Sequence, residues 1–265
     1  MEPCCFYFGQ TKTSRYVVTL RRDLTDSDVR RIVRDSLEMI SEAQSQLDLP
    51  VAPNISQTKD ILSRGSFKAL TINSRRVNRN SMEYGSFLPP ATIILDKRLP
   101  KSDHPMDMPD FVETLTMYTA VHEVFHADDH VGGNKLLMAT REHILDRHED
   151  KLEKSMSIIM EEGGSPAIKD YGDLASLWAV QYTEMVAHYK SYVVMRQMKR
   201  PKLDRLWSRL RNDYFPPNLL TCIEVSRGTD YVFSLFTERL GDYCLIEALK
   251  EYNALKEKDA GSYTV

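Results

Sequence analysis

The sequence predicts an α+β fold, with a small mixed sheet and helices in the N-terminal part, an all-helical C-terminal part, and a cleft between them for a site. Two observations carry this prediction. Short β-type runs punctuated by Gly and Pro are confined to the region before residue 100. From Pro109 onward, apolar residues recur at three- and four-residue steps, the period of a helix with one face buried. A chain of 265 residues, 42% of them hydrophobic, has enough apolar surface for a substantial core. It divides at about residue 132 into lobes 1–132 and 133–265, or forms one continuous domain.

In chain order, Tyr16–Leu20 reads as a strand. Thr25 with Asp28 resembles a capping box, and Val29, Ile32, Val33, Leu37, Ile40 and Leu47 mark an amphipathic helix that stops before Pro50 and packs on the sheet that follows. Pro53, Gly65, Gly85, Pro89 and Pro90 break up the next stretch, leaving strands at Lys68–Ile72 and Ala91–Leu95. Arg75, Arg76 and Arg79 read as a solvated loop between them, and His104 as a loop residue. Pro109 suits the first turn of a helix that Gly132-Gly133 ends. Beyond it, helices are expected over Leu136–Met160, Leu174–Met198 and Leu203–Leu210, and from Thr229 to Leu255 around Gly241. His143 and His148 belong to the charged side of the first of these. Arg196–Arg211, with Trp207 inside, reads as a solvated helix face.

Composition narrows the function classes. A net charge of −3 with 28% charged residues favours neither nucleic acid nor an anionic membrane, and no nucleic-acid partner is expected. Cys4, Cys5, Cys222 and Cys244 form no C-x-x-C pair, and neither a signal-peptide pattern nor an apolar run of membrane-spanning length occurs. A cytoplasmic protein with no membrane association is expected.

The stretch Thr119–His130 holds the chemistry. It contains His122-Glu123-x-x-His126, the H-E-x-x-H pattern. On a helix, residues four apart lie about 40° apart around the axis and about 6 Å along it, so both imidazoles reach one ion. Zinc suits this donor set: its catalytic sites use three protein ligands and keep one position for water. Glu123, beside the first histidine, is placed to take a proton from that water. Phe111, Leu115, Tyr118, Val121, Val124 and Phe125 mark the helix as buried, and polar groups on a buried helix need compensating partners.

The motif resembles that of the zincin metallopeptidases, and Ala120, Val124, Phe125 and Ala127 follow the uncharged pattern that the family keeps around it. Asp128 departs from it, since that position is usually apolar. The resemblance implies a zincin-like fold and hydrolysis of a peptide or protein substrate. In such enzymes a strand just upstream of the motif helix binds extended peptide along its edge, and Ala91–Leu95 is the candidate; the alternative is that it is a core strand. A third ligand has three candidates. His130 requires the helix to break after His126, because on an unbroken helix it lies about 12 Å along the axis from His122. Glu184, in Thr183-Glu184-Met185-Val186-Ala187-His188, resembles the glutamate helix of gluzincins, including the cytosolic ones with E-x-x-A, where a small residue three positions on permits close packing. Gly228-Thr229-Asp230 is similar to the aspartate run of aspzincins, although Thr229 as a helix cap explains it more simply. Glu184 ranks first, His130 second and Asp230 third. Many gluzincins carry an aspartate four residues after the glutamate to hold the first histidine; His188 stands there instead. His188 and Tyr189, with Tyr231 as a remoter choice, are candidates to stabilise an oxyanion.

The expected activity is therefore a zinc-dependent metallopeptidase. The alternative is a non-catalytic or regulatory zincin-fold binding protein with a structural metal. A di-iron carboxylate protein would need a second E-x-x-H unit, which the sequence lacks.

Overall fold

The structure, a computed structural model, describes residues 23–64, 66–72, 84–98, 109–161, 169, 171–207 and 217–237. The strand expected at Tyr16–Leu20, Cys4, Cys5, Cys244, the arginine loop, His104 and the chain beyond residue 237 lie outside the described residues.

Helix α1 (Asp26–Leu47) starts where the capping box predicts. The Thr25 N–H donates to the Asp28 carboxylate at 2.9 Å, while the Asp28 N–H donates to Thr25 Oγ1 at 3.3 Å. Its apolar stripe is buried against the sheet and the motif helix, and Asp48, in the left-handed region at φ 54°, ends it by donating to the Gln44 carbonyl. Helix α2 (Ile55–Ser63) falls in a stretch whose turn residues read as loop. With only Ile55, Thr58 and Leu62 buried, its apolar period is too short to stand out.

The sheet is mixed, with order β1-β3-β2. Strand β1 (Lys68–Ile72) pairs in parallel with β3 (Thr92–Asp96), and β2 (Gly85–Leu88) pairs antiparallel with β3's other side. Of the two readings of Ala91–Leu95, a peptide-binding edge and a core strand, this selects the core strand. The run is central, with Ile93 and Leu95 fully buried, and the edge near the motif helix is β2. Four residues that begin with glycine and run into Pro89-Pro90 carry too little β signal to be read as a strand.

Helix α3 (Pro109–Val131) runs through the core, apolar on nearly every side. Gly132 and Gly133 end it, Gly133 at φ 79°, a conformation that favours glycine. Helix α4 (Lys135–Glu161) follows, interrupted at His148 by a non-helical residue (φ −145°, ψ 34°), and packs along α5 (Tyr171–Gln197). Helix α5 also crosses α3. One turn at 203–207 and helices α6 (Pro217–Arg227) and α7 (Thr229–Thr237) complete the described chain. A single hydrophobic cluster extends from Leu24 to Leu235 and takes residues from both halves of the chain. Two polar links lock the end of α5 onto the start of α3: Arg200 donates to Glu113 at 2.8 Å, and the Thr114 hydroxyl donates to the Pro201 carbonyl at 2.7 Å. Among the described residues no helix is long and apolar enough to cross a membrane.

Candidate metal centre

Burial of α3 forces its polar side chains to find partners. His122 and Glu123 are 6% and 4% exposed, flanked by Val121 and Val124 at 0%. The partner for the histidines comes from α5. Ala187 is small and buried, and Glu184, one turn before it, reaches both imidazoles. His122 Nε2 lies 3.2 Å from one Glu184 oxygen, His126 Nε2 lies 3.1 Å from the other, and the two Nε2 atoms are 2.9 Å apart. Ligand atoms held tetrahedrally at about 2.0–2.1 Å from zinc sit about 3.3 Å from one another, so the three donors already span nearly one face of such a polyhedron. Two imidazole nitrogens this close repel through their lone pairs unless a proton or a cation lies between them. His122, His126 and Glu184 can therefore hold a metal ion. The cluster opens outward at Glu184, whose side chain is 54% exposed, against 8% for His122.

Electrostatics follow from this packing. Burial pushes the Glu184 carboxyl upward, but hydrogen bonds and charge from both imidazoles overcome it and hold the group well below the ordinary carboxylate range. Glu123 goes the other way. Burial raises it, and the nearby histidines together with a hydrogen bond from the Phe87 main chain only partly offset that. A carboxylate that holds its proton more strongly than usual is a better base near neutral pH.

Strand β2 comes this close because residue 85 is glycine. A Cβ there would stand 2.7 Å from Thr119 Cγ2 and 3.0 Å from Glu123 Oε1. Gly85 and Phe87 thus set where the Glu123 carboxylate sits, and neither carries a motif that sequence reasoning recognises.

The remaining candidates separate. Because α3 stays helical through Val131, His130 is carried past the cluster; its ring lies 5.7 Å from Phe87 and does not join the donor group. Asp230 is exposed at the start of α7 and is likewise outside that group. Thr229, the first residue of α7, gives its hydroxyl to Glu224 at 2.5 Å. Tyr189 points away from the centre toward Phe233, 6.0 Å between ring centroids, and burial followed by the charge of Glu224 raises its phenol far above the usual range. Tyr231 lies under the Arg227 guanidinium. His188 does reach the centre but is turned inward, 8% exposed, packed on the His122 ring and bonded to Tyr118. Burial, then the charge of His122, holds its pKa well below the ordinary value.

No family model, no curated protein and no solved structure matches this chain, so the functional reading rests on its own residues.

The departure at Asp128 has a structural reason. Its carboxylate accepts from the Thr58 hydroxyl at 2.9 Å and the Asn54 N–H at 3.4 Å, and its carbonyl accepts from the Asn54 side chain at 3.1 Å. Opposite stands Lys190 of α5, whose charge pulls the carboxyl down against the larger upward push of burial. A small cavity beside this group, lined by Phe125, His126, Tyr182, Ala187 and Lys190, lies at the crossing of α3 and α5.

Proposed function

We propose that the chain is a zinc-dependent metallopeptidase of the zincin kind, with His122, His126 and Glu184 as ligands and Glu123 as general base. The observation that carries this reading is the convergence of the three donor atoms from two helices, with a buried carboxylate beside them anchored to a separate strand. When bound, zinc supplies a Lewis acid that polarises a carbonyl and acidifies water. The residues of the chain do the rest. Glu123 accepts the proton of the attacking water and passes it to the departing amine, while Phe87 holds the carboxylate against β2.

The sheet gives a place for an extended substrate. The Asp96 N–H donates to the Tyr84 carbonyl at 2.8 Å, and the register pairs Gly85 with Leu95 and Phe87 with Ile93. In an antiparallel ladder, hydrogen-bonded pairs alternate, so the main-chain groups of Ser86 and Leu88 face β3 while those of Gly85 and Phe87 face away. Among the described residues no strand pairs with that side of β2. With the Phe87 N–H given to Glu123, the Gly85 N–H and C=O and the Phe87 C=O are left for a peptide, which would run past Glu123. A purely structural ion is less well served, because such sites are closed while this one is half open at Glu184.

The first test is metal content of the purified protein, with zinc added back, for wild type, Glu184→Ala, His130→Ala and Glu123→Gln. Near-stoichiometric zinc that survives Glu123→Gln and His130→Ala but falls with Glu184→Ala is expected. Zinc-dependent cleavage in a peptide library, lost in Glu123→Gln, then establishes the activity. A chain that takes up no zinc sinks the proposal. Full zinc with no cleavage of any library member points instead to the non-catalytic binding protein.

A further inference from the structure

We infer that Tyr118 and His188 are positioning residues that hold the His122 ring in its ligating orientation by packing, in place of the hydrogen-bond acceptor such a histidine ordinarily has. The inference rests on the metal-centre reading above. It starts from an unusual buried atom. His122 Nδ1 is shielded from solvent and has no hydrogen-bond partner among the described residues. Histidines that bind metal through one nitrogen almost always donate the other N–H to a carboxylate, a carbonyl or water, which fixes the ring and raises its basicity. Here the ring is held by its faces. Its centroid is 4.2 Å from that of His188, with 39° between planes, and the edge-on His126 ring is 4.6 Å away. An in-plane hydrogen bond between two imidazoles would place the centroids about 5 Å apart or more, so the contact with His188 is one of packing.

Tyr118 in turn fixes His188. Tyr118 lies one turn before His122 on α3, and His188 lies one turn after Glu184 on α5, so the two helices meet as a ladder of alternating side chains. The Tyr118 hydroxyl donates to the His188 carbonyl at 3.1 Å and lies 3.0 Å from His188 Nδ1. A phenol has one hydrogen. With that hydrogen on the carbonyl, His188 Nδ1 must carry its own and donate it to the phenol oxygen, which sets the tautomer and the tilt of the ring. The rigid His188 face then leaves His122 one orientation, with Nε2 toward Glu184 and His126.

Two consequences can be measured. Removing the face should loosen the ligand, whereas replacing His188 by an apolar ring should not. The experiment is zinc affinity by competition with a chromophoric chelator, the visible spectrum of the cobalt-substituted protein, and the thermal midpoint of the metal-free protein, for wild type, Tyr118→Phe, His188→Ala and His188→Phe. His188→Ala is expected to weaken zinc binding about tenfold or more and to alter the cobalt bands. Tyr118→Phe should weaken it severalfold and lower the metal-free midpoint by a few degrees, because the buried His188 ring loses its partner. His188→Phe should stay within about threefold of wild type. Wild-type affinity in both His188→Ala and Tyr118→Phe would overturn the positioning role. Equal losses in His188→Phe and His188→Ala would also overturn it, because the ring's nitrogens rather than its face would then be what matters. Absence of zinc binding by the wild type is a separate failure, of the metal centre itself.

Discussion

Substitution of Gly85 by alanine tests whether β2 positions Glu123, the proposed general base. An added methyl would stand 2.7 Å from Thr119 Cγ2, against a comfortable carbon–carbon separation of about 3.5–4.0 Å. Thr119 cannot swing aside cheaply, since it is β-branched and its hydroxyl donates to the Leu115 carbonyl at 2.9 Å. The remaining relief is withdrawal of β2 by about an ångström, which takes the Phe87 N–H away from Glu123. Overpacking of this kind costs about 1–3 kcal/mol, so the urea midpoint should fall with the slope unchanged. A displacement of about 1 Å at a reacting group typically costs about 10²-fold, so the proposed zinc-dependent peptide hydrolysis should drop by about that factor in kcat/KM while zinc affinity is retained. A variant that unfolds at the wild-type midpoint and keeps full activity would refute the reasoning. A loss of stability with undiminished activity would refute only the link from β2 to Glu123.

Other perturbations have equally definite outcomes. Glu113→Ala removes the carboxylate that pairs with the Arg200 guanidinium, 1% exposed, and should destabilise the chain by about 1–3 kcal/mol in denaturant unfolding. Asp128→Leu installs the apolar residue usual in zincins but removes the carboxylate that accepts from the Thr58 hydroxyl and the Asn54 N–H, leaving Thr58 the Asn54 carbonyl as its acceptor. A loss of about 1–3 kcal/mol is expected, with Asp128→Asn losing less. Burial raises the phenols of Tyr189 and Tyr192, so above about pH 10 the unfolded chain releases protons that the folded one retains. Stability should therefore be unaffected by these groups below that pH and fall by about 1.4 kcal/mol per unit for each tyrosine above it, until that phenol ionises in the folded chain as well. Ionisation followed at 295 nm should lag until unfolding begins.

Elements with long uniform periods were legible in the sequence. Thr25 and Asp28 mark the start of α1, and the β-branched run at Lys68–Ile72 is a strand as expected. Helix α3 begins at Pro109 and ends just before Gly132. The donor trio was also legible, because H-E-x-x-H is a local pattern and Glu184 stands among apolar residues where a lone charge would be costly. What escaped were features that depend on tertiary approach. Helices α2 and α6 are short, with little periodicity. Strand β2 is defined by what lies beside it: Gly85 has no side chain to pattern, and its role appears only once Thr119 is opposite. Tyr118 was nearer to being legible, since it lies four residues before His122 and shares its face. Nothing local, however, says that its hydroxyl meets the main chain of α5. The central position of β3 depends on pairing to a strand that could not be seen.

The polar residues of α3 make a case for treating the helix as a built site and not as a core helix with an accidental motif. Within a helix that is apolar on almost all sides, Thr116 and Thr119 return their hydroxyls to carbonyls one turn back, and Thr114 gives its own to Pro201. Tyr118 is bonded to His188, Glu123 is held from β2, and Asp128 is tied to α2. Burial without such partners would cost about 1–3 kcal/mol for each group. A helix serving only the core would be more stable with these positions apolar. His122 and His126 are the exception, because what satisfies them in this arrangement is each other and Glu184, at distances that call for a proton or a cation between them. Surrounding order thus converges on two nitrogens and a carboxylate that can hold a metal ion, which in the proposed reading is zinc.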